Sequence, residues 1–227
     1  MKSKVKMFII LFVCSFLVVF LIKQSDVSAS VEQQVDSRII SITKKLDKEV
    51  ELKTELSKSS NPYDYIVNNT DFNEILLLGN NALPILQKKI DQSPNDGLQE
   101  YILAIAIERI SKTDLKKQES TQWDTPKSFN TTWENHLKTI PTAVKSISSD
   151  INLNTDEKVV QLVELGTPAM PFILEEVESV DSNLFQALVI LSNNNNSSLN
   201  KDAIDFKEWT SIHKEELEIL KQYVLEQ

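Results

Sequence analysis

Cysteine is almost missing from this chain. Its one residue, Cys14, lies inside an apolar run, so no disulfide can staple the residues that follow. Leu11, Phe12 and Val13 precede it, and none is the small side chain that lipid attachment requires directly before a cysteine. Glycine is nearly as scarce, with Gly79, Gly97 and Gly166 the whole supply. Three isolated glycines cannot build a Gly-x-Ser-x-Gly nucleophile elbow or a phosphate-cradling loop ending in Gly-Lys-Ser/Thr. Histidine is limited to His136 and His213, with no His-Glu-x-x-His run beside either. Basic residues are outnumbered, 24 against 33 acidic ones, for a net charge of −9. Such a surface repels a phosphate backbone, which excludes nucleic acid as a partner. These absences leave no catalytic residue, no metal site and no cofactor to assign. Carboxylates alone remain abundant, so the enzymatic alternative is a hydrolase of cell-wall polymer using an Asp/Glu pair.

Lys2, Lys4 and Lys6 stand before an uncharged apolar run, Met7 to Ile22, which Lys23 closes. A basic flank of this kind stays in the cytoplasm and sends the following chain outward. The run would span roughly 24 Å as a helix, near the lower limit for crossing a bilayer. Val27, Ser28 and Ala29 offer the small residues that a signal peptidase accepts. Residues 1–30 therefore read as a signal peptide or a transmembrane anchor with a short tether. The expected location is extracytoplasmic, secreted or membrane-anchored through residues 7–22.

Helical spacing dominates the remainder. Val35, Ile39, Ile42 and Leu46 alternate four and three apart, and no Pro or Gly interrupts residues 31–60. That stretch reads as one long amphipathic helix, either docked on the following domain or paired as a coiled coil. A helix near Asp71, capped by that residue, ends at Gly79, and the next carries Pro84 in its first turn. Leu98 to Ile110 reads as a strongly apolar helix.

The same pattern is then repeated. Leu78, Gly79, Ala82 and Pro84 return as Leu165, Gly166, Ala169 and Pro171 at an offset of 87 residues. Leu184 to Leu191 matches the apolar helix of the first copy. Phe129, Trp133 and His136 return as Phe206, Trp209 and His213. Two repeat units, 61–146 and 147–227, follow from this duplication. A helical pair that cannot cover its own apolar face must bury it against a neighbour, so stacked helices are expected. No stretch combines period-two alternation with hairpin turn residues, which argues against strands.

The phrase Leu-Gly-x-x-Ala-x-Pro, flanked by apolar helices, resembles the inter-helix turn of bacterial HEAT-like repeat proteins. Both copies keep all four residues, but the spacing of 87 is about twice the roughly 40-residue repeat of true arrays. The resemblance implies an all-α fold of antiparallel helical hairpins, stacked as a short HEAT-like array or a compact bundle behind an N-terminal hydrophobic segment. It also implies a protein-interaction module rather than an enzyme, with Gly79, Ala82, Pro84, Gly166, Ala169 and Pro171 shaping the turns. Trp123, Trp133 and Trp209 are the candidate interface residues; Trp133 and Trp209, at matching helix positions, read first as core and as interface anchors only where exposed on a concave face. Trp123, placed in a polar loop, is the one expected at the surface. The expected partner is an envelope or secreted protein, and a regulator or immunity protein of a wall enzyme would share these features.

Overall fold

The structure is a computed structural model that describes residues 29–117, 119–192 and 205–227. Its first helix, α1, occupies residues 29–51 of the described chain. Val31, Val35, Ile39 and Ile42 turn its apolar stripe inward, where all four are buried in the common core. The seam is therefore spent on the chain's own domain rather than on a second copy. Ion pairs hold the rim of this contact: Lys88 with Glu32 at 3.3 Å, Arg38 with Glu74 at 2.5 Å, and Lys89 with Asp36. The helix also stops earlier than residue 60. Lys53 adopts a left-handed φ of 51°, its N–H bonds to the Val50 carbonyl, and that of Thr54 reaches back to Glu49. This is a Schellman stop made without the glycine that would announce it.

Helices α2 (Thr70–Leu77), α3 (Leu83–Gln92) and α4 (Leu98–Ser111) follow. Asn69, not Asp71, caps α2, accepting from the Phe72 N–H at 3.1 Å. Asp71 turns inward, is buried, and takes hydrogen bonds from Ser41 at 2.7 Å and Lys45 at 2.6 Å. Those bonds hold its carboxyl below the usual carboxylate range, against the opposing pull of burial. Helix α4 is buried from Ile102 through Ile107, so it forms the axis of the first half. Its left-handed stop falls on Lys112, φ 56°, whose ammonium donates to the Leu191 carbonyl at 2.8 Å.

The long α5 (Pro126–Ser149) leads into α6 (Thr155–Glu164), α7 (Met170–Ser179), α8 (Phe185–Ser192) and α9 (Phe206–Leu225). Side chains start each long element: Thr125 for α5, Asn154 for α6 and Asp205 for α9. In the second half α7 is central, packed on α5, α8 and α9. One continuous apolar core runs from Val31 to Val224. Among the described residues the protein is an all-α bundle without strands.

The anticipated transmembrane helix and membrane-anchored location need correction. Among the described residues no helix is long and apolar enough to cross a membrane. Residues 7–22, on which that expectation was placed, lie outside the described residues.

The two repeated turns use their glycines differently. After α2, Gly79 has φ 61° and opens a short 3-10 turn, Gly79–Ala82, that feeds α3 with Pro84 in its first turn. After α6, Gly166 has φ 82° and ψ 179°, a region essentially closed to other residues, before the turn Thr167–Ala169 and Pro171 in the first turn of α7. Ala82 and Ala169 are both fully buried beneath these turns. A Cβ on Gly79 would meet nothing within 4 Å, whereas one on Gly166 would lie 2.1 Å from Thr113 Oγ1 and 2.6 Å from the Ser111 carbonyl. Gly79→Ala should thus cost about 1–2 kcal/mol, the penalty of a left-handed residue alone. Gly166→Ala adds a steric clash and should cost about 3 kcal/mol or more. Urea unfolding of the two variants measures the difference, and equal losses would contradict this account.

Candidate functional site

The duplicated turns meet in the middle of the molecule. Thr167 stands 87 residues beyond Asn80, and its hydroxyl donates to the Asn80 side-chain oxygen at 2.5 Å in a buried contact. Asn80 in turn donates to Glu216 at 2.7 Å, and Glu216 accepts from His213 Nδ1 at 2.9 Å. The long helices bridge the halves: α9 packs on α7 and on both turns, and α5 packs on α3, α4 and α7 and on the second turn. His136 of α5 accordingly reaches the Leu165 carbonyl with Nε2 at 3.0 Å.

The two copies of this contact are not filled alike. An offset of 77 places His136 on His213 and Thr139 on Glu216, while the turn residue opposite changes from Asn80 to Thr167. Where one copy carries a glutamate and an asparagine that join, the other carries two short hydroxyl side chains. Thr139 bonds back to its own helix at the His136 carbonyl, 2.7 Å away. A cleft of about 630 Å³ opens beside it.

Its floor is a polar stripe of α5. Thr132, Asn135, His136 and Thr139 are spaced i, i+3, i+4 and i+7, one helical face, while Phe129, Trp133, Leu137 and Ile140 fill the buried face behind. The far wall comes from Gln161, Glu164 and Leu165 at the end of α6, and the loop carrying Thr113 to Lys117 closes one end. Lys117 and Glu164 pair across that end. The loop itself hangs on Glu108, whose Oε1 accepts from Trp123 Nε1 at 3.0 Å and from the Leu115 N–H at 3.2 Å. Burial pushes the Glu108 carboxyl up, and these two bonds only partly offset it. Lys116 lies over the Trp123 ring at 3.8 Å.

All three tryptophans are core residues, at 4 % exposure for Trp123, 0 % for Trp133 and 5 % for Trp209. The expected exposure of Trp123 is overturned because its indole N–H has a buried carboxylate to satisfy and its ring packs edge-on against Phe129 at 5.0 Å. Trp133 donates to Tyr223 at 2.7 Å and lies against His136 at 5.5 Å; Trp209 lies against His213 at 4.4 Å. Trp133 and Trp209 each brace a histidine from within the core. Gly79, Ala82 and Pro84 lie between α2 and the first turn of α3, and Gly166, Ala169 and Pro171 between α6 and the first turn of α7.

No group of three or more His, Cys, Asp or Glu side chains is placed to hold a metal ion among the described residues. In the cleft Glu164 is engaged by Lys117, and Asp114 accepts the Lys116 N–H at 3.1 Å. The raised carboxyl, Glu108, is tied into the loop behind. Hydroxyls, amides and one imidazole are what the cleft offers to a ligand. Sequence reasoning passed over Thr132, Asn135, Thr139 and Gln161. The signal was present in the polar i, i+3, i+4, i+7 stripe and in the exchange of Glu216 for Thr139 between copies.

Burial lowers the pKa of His136 from 6.5, opposed in part by its bond to Leu165. A histidine held neutral in the fold stabilises it fully above the free value and loses that contribution as pH falls through the lowered one. His136→Gln, which keeps an N–H for Leu165, should flatten this acid loss. Urea midpoints of both proteins at about pH 7.5 and about pH 5 test it; parallel slopes would count against the assignment.

Comparison of the chain with protein-family models, curated proteins and solved structures gives no match.

Proposed function

We propose that this chain is a non-catalytic helical scaffold, built on HEAT-like paired hairpins, that binds a partner protein in the cleft between α5 and α6. The observation that carries the reading is the open copy of a duplicated contact. In the filled copy, Asn80, Glu216 and His213 satisfy one another. In the open copy, Thr132, Asn135 and Gln161 present polar side chains to a cleft and, among the described residues, have no hydrogen-bond partner. Its volume of about 630 Å³ falls within the usual range of ligand sites, roughly 300–1,000 Å³. A rigid site on helices, backed by a packed core, suits binding without rearrangement.

A photoreactive residue placed at Asn135 in cells that make the protein should give one discrete crosslinked product. Thr139→Glu, which copies the filled contact, should remove that product without changing the helical content. The fully surface-exposed Ile151 serves as the control position. The proposal fails if Asn135 gives no product, if Ile151 gives the same one, or if Thr139→Glu leaves it unchanged.

A further inference from the structure

Resting on that reading of the cleft, we infer that its occupant is an extended peptide segment free of acidic side chains, recognised through its main-chain amides by Asn135, Gln161 and His136. The polarity of the imidazole points this way. A carbonyl oxygen can only accept, so the 3.0 Å contact with Leu165 places the hydrogen on Nε2 of His136. In the neutral ring that burial favours, Nδ1 is then an acceptor and can take an N–H or O–H from a ligand. An anionic group would face that lone pair instead, with Glu164 and Asp114 in the same lining. This is the reverse of the filled copy, where Nδ1 of His213 donates to a carboxylate.

Asn135 and Gln161 supply the complementary half. Each side-chain amide carries one acceptor oxygen and an N–H donor group, the same pair that a peptide unit presents. They come from different helices, α5 and α6, and line one cleft. Lys117 pairs with Glu164, which leaves the Asp114 carboxylate as the lining's remaining charge, so the cleft disfavours an acidic segment. The α5 stripe from Thr132 to Thr139 rises about 10 Å, which matches about three residues of extended chain. A saccharide fits less well, because it would stack on a flat aromatic side chain, whereas Trp123 and Trp133 are buried behind the lining.

A display library of random twelve-residue peptides, panned on the full chain, provides the probe. Enriched peptides should lack Asp and Glu over their common segment. Asn135→Ala and Gln161→Ala, both surface changes, should each weaken binding about tenfold by fluorescence anisotropy. N-methylation of two adjacent central amides in the peptide should abolish binding, a loss that side-chain recognition would not produce. The 15N resonance of His136 Nδ1 should shift on binding while Nε2 stays protonated. Failure to enrich any peptide overturns the inference, as does binding indifferent to N-methylation. Binding of tri-N-acetylglucosamine that displaces the peptide also overturns it. A crosslink at Asn135 together with indifference to N-methylation sinks this inference alone, whereas absence of any crosslink sinks the binding-site reading beneath it.

Discussion

Asn80 and Thr167 hold equivalent places in the two turns, and the bond between their side chains lies where the halves of the molecule touch. Burying an amide and a hydroxyl without partners costs about 1–3 kcal/mol for each group. Here Asn80 accepts from Thr167 and donates to Glu216, so both of its ends are used. Apolar helix faces of Leu and Ile tolerate small slides against one another, but this contact does not. Displacing either half by one helical step would strip Asn80 and Thr167 of these partners at once and leave Glu216 with His213 alone. The register of the bundle rests on that polar junction, and the apolar core from Val31 to Val224 supplies the attraction around it.

Helices α5 and α9 bridge the two halves around the same junction. Each carries a tryptophan lying against a histidine, Trp133 on His136 and Trp209 on His213. Two buried bonds lock this crossing: Trp133 to Tyr223, and Tyr223 to Gln87 of α3. Burial pushes the Tyr223 phenol far up, so it stays a neutral donor across the physiological range. The two contacts differ in the side chain that stands three residues after each histidine, Glu216 after His213 and Thr139 after His136. A glutamate fills the contact on one side, and a threonine opens a cleft on the other.

Much of the fold was legible because its causes are local. The glycine turns, the prolines in the first turns of α3 and α7, and the buried alanines all appear at their sequence-assigned places. Errors arose where a residue acted out of type. Lys53 and Lys112 end helices in left-handed conformations that favour glycine, and Asp71, a good cap by composition, is drawn inward by Ser41 and Lys45. Trp123 sits in a polar stretch, yet it is buried because Glu108, fifteen residues earlier, needs its N–H.

By itself the sequence determined the all-helical character, the helix ends beside Gly79 and Gly166, and the two copies of the Leu-Gly-x-x-Ala-x-Pro phrase. Each of these depends on spacing within a few turns of chain. Only the tertiary structure decided that the two turns face each other and that the helices cross. It alone decided that Asn135 and Gln161 share one cleft. Those facts depend on contacts such as His136 with Leu165, 29 residues apart, and Asn80 with Glu216, 136 apart. Periodicity says which face of a helix is buried, but not which neighbour covers it. That choice is made by the fit of side-chain lengths and polar partners across the whole core.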